Sequence, residues 1–251
     1  MKSRPFSLIA PYYDILMKDI RYDEWVEYIA ELYPDYADRR LRIMDIACGT
    51  GVCAALFRKA GHSVVALDSS EQMLEVARQR FAKEQMDIEV LRADMSNFSI
   101  EGKVDLVTCL FDSMNNLLDE VELESCFRCV ADSLNESGLF IFDMNTEYGL
   151  ATLWGDRTTV KEEGPVLSIW RNSWDPRRKL ATLDLTLFVS ENDVDEKSAR
   201  IDEVHLERSY PVKLVAALLR RAGLRDVSIY RHLTTEKVSR ETGRIMVKAG
   251  R

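Results

Sequence analysis

Ile43–Gly51, IMDIACGTG, decides the fold. An apolar run carrying one acid, Asp45, passes without a polar spacer into Cys48-Gly49-Thr50-Gly51. Behind it Gly51–Ala60 (GVCAALFRKA) has helical spacing and stops at Gly61. A buried strand that ends in glycines and opens a helix is a turn whose backbone must approach something closely. The first N–H groups of that helix have no intrahelical partner and suit a carboxylate or a phosphate. Ala47 carries a Cβ and tolerates positive φ poorly, so it is expected at negative φ. Asp45 is expected to orient the loop by accepting from its amides.

The pattern repeats outward. Ser63–Leu67 is a second buried strand closed by Asp68. Ser69 or Ser70 caps a helix with Met73, Leu74, Ala77 and Phe81 on one stripe. Ile88–Leu91 leads to Arg92-Ala93-Asp94-Met95. Val104–Phe111 is a fourth strand, Glu120–Leu134 a helix and Gly138–Asp143 a fifth strand. Strand–helix alternation at this spacing predicts a doubly wound, mostly parallel α/β sheet.

From Thr158 to Tyr210 the period changes to alternation, in VLSIWRNSW, LATLDLTLFVS and ARIDEVHLERSY. Turns are expected at Asp175-Pro176-Arg177-Arg178 and Glu191-Asn192-Asp193. Pro211–Ala222 returns to a helix, and Val227–Tyr230 and Gly243–Lys248 are final strands. The domain reading is a core of residues 1–146 and 208–251, interrupted at 147–207 by an antiparallel β lid.

Composition narrows the partners. The net charge is −8, with no Lys/Arg block, which argues against a nucleic-acid substrate. No apolar run is long enough to span a membrane, and MKSRPFSLIAPYYD lacks the apolar core and cleavage site of a signal peptide. Five scattered cysteines fit a reduced, cytoplasmic protein. Cys126 and Cys129 have metal-like spacing inside a helical pattern without a second pair, so core packing is expected and no metal.

Spacing then selects the ligand. A dinucleotide loop reads G-x-G-x-x-G, whereas A-C-G-T-G is one residue tighter between its last glycines. Asp68, at the end of the second strand, can accept from both hydroxyls of a ribose. Asp94, ending the third, adds an acid that dinucleotide sites lack.

IMDIACGTG, ALDSSEQML (Ala66–Leu74), RADM (Arg92–Met95), CLFDSMNNL (Cys109–Leu117) and LFIFDMNT (Leu139–Thr146) together resemble the class I S-adenosylmethionine-dependent methyltransferases, in the family's order. The resemblance implies a Rossmann-like fold with S-adenosyl-L-methionine as cofactor and S-adenosyl-L-homocysteine as product. Ala47, Gly49 and Gly51 would surround the methionine and ribose, and Asp68 would hold the ribose diol. Ser69 and Met73 would flank the adenine, although Met73 equally fits plain core. Asp94 and the Met95 amide would read the adenine edge, and Leu110 and Phe111 would line the floor. The family's N-terminal Tyr-Asp pair and later Tyr are matched by Tyr13-Asp14 and Tyr22, so Tyr13 and Tyr22 are expected against the cofactor, Tyr13 also as a catalytic group.

The lid is expected to cover a small-molecule acceptor, an amine or a hydroxyl. His205, two residues from Glu207 and so on the same face of a strand, is the candidate base. His62 is read as structural and His232 as lying on a surface connection. Asp112, Asn115, Asn116 and Asn145, past the ends of strands four and five, with Trp170 and Arg171 in the lid, are candidate acceptor contacts. Two rivals stand beside this reading: a non-catalytic S-adenosylmethionine-binding regulator, and a protein or RNA methyltransferase.

Overall fold

The structure, a computed structural model, describes residues 5–34, 36–190 and 198–251. Two helices, α1 (Tyr13–Leu16) and α2 (Tyr22–Leu32), precede β1 (Arg42–Ile46). Then α3 (Val52–Lys59), β2 (Ser63–Asp68), α4 (Glu71–Lys83), β3 (Glu89–Arg92), β4 (Val104–Cys109), α5 (Glu120–Ser133) and β5 (Leu134–Asn145) follow in alternation. Ser70 is the residue that caps α4, its hydroxyl accepting from the Met73 amide. Asp119 caps α5 by accepting from the Val121 and Glu122 amides.

After β5 a short π-helix (Gly149–Trp154) leads into β6 (Arg157–Glu163), β7 (Val166–Asp175), β8 (Leu180–Ser190) and β9 (Ser198–Arg208). The chain then returns through α6 (Val212–Arg221), β10 (Arg225–Arg231) and β11 (Arg244–Gly250). The large sheet has the order β10-β11-β5-β4-β1-β2-β3. β1 pairs in parallel with β2 and β4, and β11 runs antiparallel to β5 and β10. The winding reverses between β1 and β4, so the crevice at a doubly wound sheet's carboxyl edge opens beyond those two strands. This is the mostly parallel α/β fold with an antiparallel lid sheet that the periodicity predicts.

Continuous apolar runs follow from burial on both faces. Phe127, Phe140 and Phe142 pack one face with α5 and α6. Trp25, Ile29 and Phe57 pack the other with α2 and α3. Cys126 is wholly buried in the first of these clusters, as its place in the α5 stripe predicts.

The second sheet holds four antiparallel strands in the order β6-β7-β8-β9, where alternation had marked three. β6 (RTTVKEE) was missed because it is an edge strand with nearly every residue exposed, so no apolar face marks it. The turn expected at Glu191-Asn192-Asp193 lies outside the described residues. This sheet buries Leu183, Leu185, Leu187 and Val189 against Ile9 and Leu16 of the N-terminal segment. The N-terminus is therefore the filling between lid and core. Among the described residues, no helix is long and apolar enough to cross a membrane.

Candidate active site

The loop after β1 is a run of left-handed backbone: Ala47 at φ 54°, Gly49 at 55° and Gly51 at 77°. Ala47 at positive φ corrects the expectation of a negative angle. The turn is pinned on both sides, with the Cys48 amide donating to Leu67 O (3.0 Å) and the Gly51 amide to Cys48 O (3.0 Å). That geometry imposes the left-handed conformation on a residue with the smallest side chain bearing a Cβ.

Asp45 does not hold the loop amides either. It accepts from the Thr108 hydroxyl at 2.7 Å, and burial pushes its carboxyl up to about 7. The loop is held by Asp68 instead: Gly49 N donates to Oδ2 at 2.9 Å and Ser70 N to Oδ1 at 2.8 Å. Burial raises the Asp68 pKa, while these amide bonds pull against the rise. One carboxylate thus ties the glycine loop to the start of α4.

Two connected spaces lie over these strand ends. A cleft of about 1000 Å³ is walled by Ala47, Gly49, Asp68, Ser69, Met73, Asp94, Met95 and Phe111, with Tyr13 and Glu203 across from them. A narrower recess of about 50 Å³ continues past Ala47 and Gly49 to Asp45, Leu110, Phe111, Tyr13 and Tyr22. Asp94 is exposed at the far rim, where its carboxylate accepts from the Ser96 amide and hydroxyl (2.8 and 2.7 Å). Met73 is fully buried yet borders the cleft, so the core and cleft readings of it coincide.

The N-terminal pair has two separate tasks. Asp14 accepts from the Thr50 hydroxyl at 2.7 Å and from Arg80 at 2.5 Å, which clamps α1 onto the glycine loop and α4. Tyr13 faces the cleft, and burial raises its hydroxyl pKa far above neutrality. Tyr22, raised likewise by burial, packs on Phe111 at 4.7 Å between ring centroids. Both hydroxyls remain protonated donors at neutral pH, so Tyr13 is suited to donate a hydrogen bond and not to act as a base.

Beside the recess sits a buried charge cluster. Phe111 and Asp112 are consecutive non-glycine residues at φ 60° and 51°, a strained corner after β4. Arg244 donates to Asp143 (2.6 Å) and to Asp112 (2.7 Å), and lies over the Trp25 ring at 4.9 Å. The Asn145 amide donates to Asp112 (2.5 Å) and to Glu207 of β9 (2.9 Å). Burial pushes Glu207 well above the usual carboxylate range and Asp143 to about 6, although Arg244 draws Asp143 down. Two carboxylates pair with one guanidinium, and Asn145 links a third, Glu207, to Asp112.

A methyltransferase-domain family model matches residues 43–138. A protein of Geobacillus sp. (strain WCH70) named as a methyltransferase is 29% identical over 245 residues, covering 97% of this chain and 98% of its own. The crystal structure of an S-adenosylmethionine-dependent methyltransferase from Clostridium acetobutylicum superposes with a TM-score of 0.85 at 28% identity, over 96% of this chain and 97% of that one. Residues 43–138 match a methyltransferase domain, and over nearly its whole length the chain is similar to S-adenosylmethionine-dependent methyltransferases. A more partial relative is the dTDP-3-amino-3,6-dideoxy-alpha-D-glucopyranose N,N-dimethyltransferase of Streptomyces fradiae, 27% identical over 137 residues, 54% of this chain and 52% of that one.

The methyltransferase is an enzyme whose cofactor is S-adenosylmethionine, and the cleft's chemistry fits that group. Asp68 keeps lone pairs on both oxygens for a diol, Leu67, Met73, Ala93 and Met95 form an apolar slot for a flat base, and the recess ends in polar groups.

The lid residues fall elsewhere than expected. His205 is buried with its Nε2 3.2 Å from Glu203 and the Phe6 ring 4.5 Å away, and it borders neither space. Glu207, its expected companion, is spent on Asn145. Trp170 packs in the lid's apolar cluster, with its indole N–H donating to Ser168, and Arg171 is exposed and donates to Thr186. Both sit on β7, with β8 and β9 in between, too far into the lid sheet to wall the cleft.

Asn115 is buried and brackets the core, donating to Asn145 O and Arg208 O and accepting from Asn145 N. It leaves no group for an acceptor. Asn116 borders the cleft. His62 is buried and structural, with Nδ1 accepting from Leu41 N at 3.2 Å. His232 lies in the turn after β10, half-buried: its ring is 4.6 Å from Trp25, and burial with Arg244 nearby lowers its pKa to about 4. Phe6, Glu203 and Arg244 join the site unannounced by any motif. Phe6 and Glu203 meet across 197 positions of sequence, a separation that no local pattern encodes.

Proposed function

We propose that this enzyme transfers the methyl group of S-adenosylmethionine to the amine nitrogen of a small molecule. The observation that carries the reading is the cluster of Asp112, Asp143 and Glu207 around the single Arg244, next to the aromatic recess. An excess of buried carboxylate favours a cation or a group that gives up a proton. The Streptomyces fradiae relative, named for an amino sugar, supports the same class.

In this reading Asp68 holds the ribose diol, and Ser69 and Met73 flank the adenine. Asp94 and the Met95 amide read its edge, while Ala47, Gly49 and Gly51 let the backbone approach. Tyr13 donates to the carboxylate end, and Tyr22, Leu110 and Phe111 exclude water from the recess. The cofactor supplies a methyl group on a sulfonium leaving group. The chain's part is to align the acceptor in line with it, and the proton the nitrogen loses passes to solvent; the cluster around Arg244 borders neither the cleft nor the recess. The lid sheet over the cleft forms the acceptor's outer wall. His205 has no acceptor contact in this scheme.

The test is incubation with methyl-labelled S-adenosylmethionine and matched panels: small amines, the same scaffolds carrying a hydroxyl instead, RNA, and protein extract. Label is expected in the amine panel. Label confined to the hydroxyl, RNA or protein panels overturns the assignment, and binding without any transfer favours a regulator.

A further inference from the structure

Residues 5–9 form neither helix nor sheet, yet their amides are not left to solvent. Four consecutive N–H groups converge on one carboxylate of the lid: Phe6 N donates to Glu203 Oε2 at 2.8 Å. Ser7, Leu8 and Ile9 N donate to Oε1 at 3.0, 2.5 and 3.2 Å. Glu203 is 3% exposed. A buried carboxylate is costly unless its lone pairs are met, and here the donors are amides with no partner in a helix or strand. His205 Nε2 also lies 3.2 Å from the carboxylate. Burial pushes Glu203 up, but the His205 contact and the Leu8 and Phe6 amides outweigh it and hold the carboxyl below its usual range. The group is ionised at neutral pH.

The same segment is tied to the core at its other side. Phe6, at φ 60°, turns its carbonyl to accept from the Ser70 hydroxyl at 2.7 Å. Ser70 is the residue whose amide is held by Asp68. Phe6, Ser7, Asp68, Ser70, Tyr13 and Glu203 all border the 1000 Å³ cleft. The strap therefore spans from the lid to the carboxylate that anchors the glycine loop, and it crosses the cofactor's space on the way.

We propose that Glu203 is a positioning residue for the cofactor: it latches residues 6–9 as a strap over the cleft, and the cofactor enters and leaves when this latch opens. The assignment rests on the S-adenosylmethionine reading of the cleft and is independent of the acceptor's identity. His205 packs beside the latch, with its Nε2 3.2 Å from Glu203.

Glu203→Gln keeps the shape, removes the charge and points an NH2 at amides that need an acceptor. Stopped-flow release of S-adenosylhomocysteine should quicken at least tenfold, about 1.4 kcal/mol, and association should quicken as well, because entry passes the same latch. Glu203→Asp, charged but one methylene shorter, should fall between the two. In the wild type, S-adenosylhomocysteine should slow hydrogen exchange of the Phe6–Ile9 amides at least tenfold, a readout that needs no variant. A Gln variant with a lower Tm but an unchanged release rate makes Glu203 purely structural and overturns the proposal. So does wild-type exchange at Phe6–Ile9 that is indifferent to the ligand. Wild-type protein that does not bind S-adenosylhomocysteine at all would remove the cofactor reading and the latch with it.

Discussion

Replacing Asp68 with alanine is expected to weaken S-adenosylhomocysteine binding by roughly 3 kcal/mol, a hundredfold or more. Two losses combine. The ribose diol loses a charged acceptor, a contact worth about 1.5–3 kcal/mol for hydrogen bonds to an ion. The Gly49 and Ser70 amides, 2.9 and 2.8 Å from that carboxylate, lose the tie that sets the loop against α4. The unbound variant must then order its loop upon binding. Asp68→Asn should cost less, because the amide oxygen still accepts one bond. Calorimetry on both variants, with thermal melts to show that they are folded, measures the difference. A folded Ala variant with wild-type affinity would mean that the ribose is held by other groups.

Gly51→Ala should destabilise the fold itself, by about 2–4 kcal/mol. Gly51 stands at φ 77°, where a Cβ costs roughly 1–2 kcal/mol. A Cβ built there would also lie 2.5 Å from Phe81 Cζ and 3.0 Å from Ala77 Cβ, inside the packing of α3 on α4. Overpacking of that kind costs about 1–3 kcal/mol. Gly49, at φ 55° with nothing within 4 Å of its Cβ position, carries the backbone penalty alone. Gly49→Ala should therefore lose less stability than Gly51→Ala in urea unfolding. Equal losses at the two positions would show that the Phe81 contact relaxes freely.

This difference between neighbouring glycines marks what the sequence reveals and what it hides. The loop, both strand-end acids Asp68 and Asp94, and the helix stripe with Phe81 are local patterns, and local patterns are what periodicity and spacing report. Ala47 departs from its own residue preference because backbone bonds on either side pin the turn. Asp68 takes the loop-holding task expected of Asp45 for a similar reason: which carboxylate reaches the Gly49 amide depends on β2 lying beside β1, a fact of pairing and not of spacing.

The lid shows the same division. Alternation in β7, β8 and β9 was visible because each has one buried face, whereas the exposed edge strand β6 carried no such signal. His205 and Glu207 do share a face of β9, as their spacing requires. Glu203, the neighbour of His205, lies two residues before it on the same strand, but Phe6 and Asn145, which complete the two contacts, arrive from the N-terminal segment and the end of β5. Arg244, ion-paired to two acids and lying over an aromatic ring, begins a strand in a stretch with no motif at all.

The measurement that bears most directly on the site is calorimetric titration of one wild-type preparation with S-adenosylhomocysteine and, separately, with NAD. The tight Ala47–Gly51 loop, the Asp68 carboxylate and the rim acid Asp94 together require saturable one-to-one heat from S-adenosylhomocysteine and none from NAD. Tight binding of NAD, with no heat from S-adenosylhomocysteine, would contradict the assignment of the cleft.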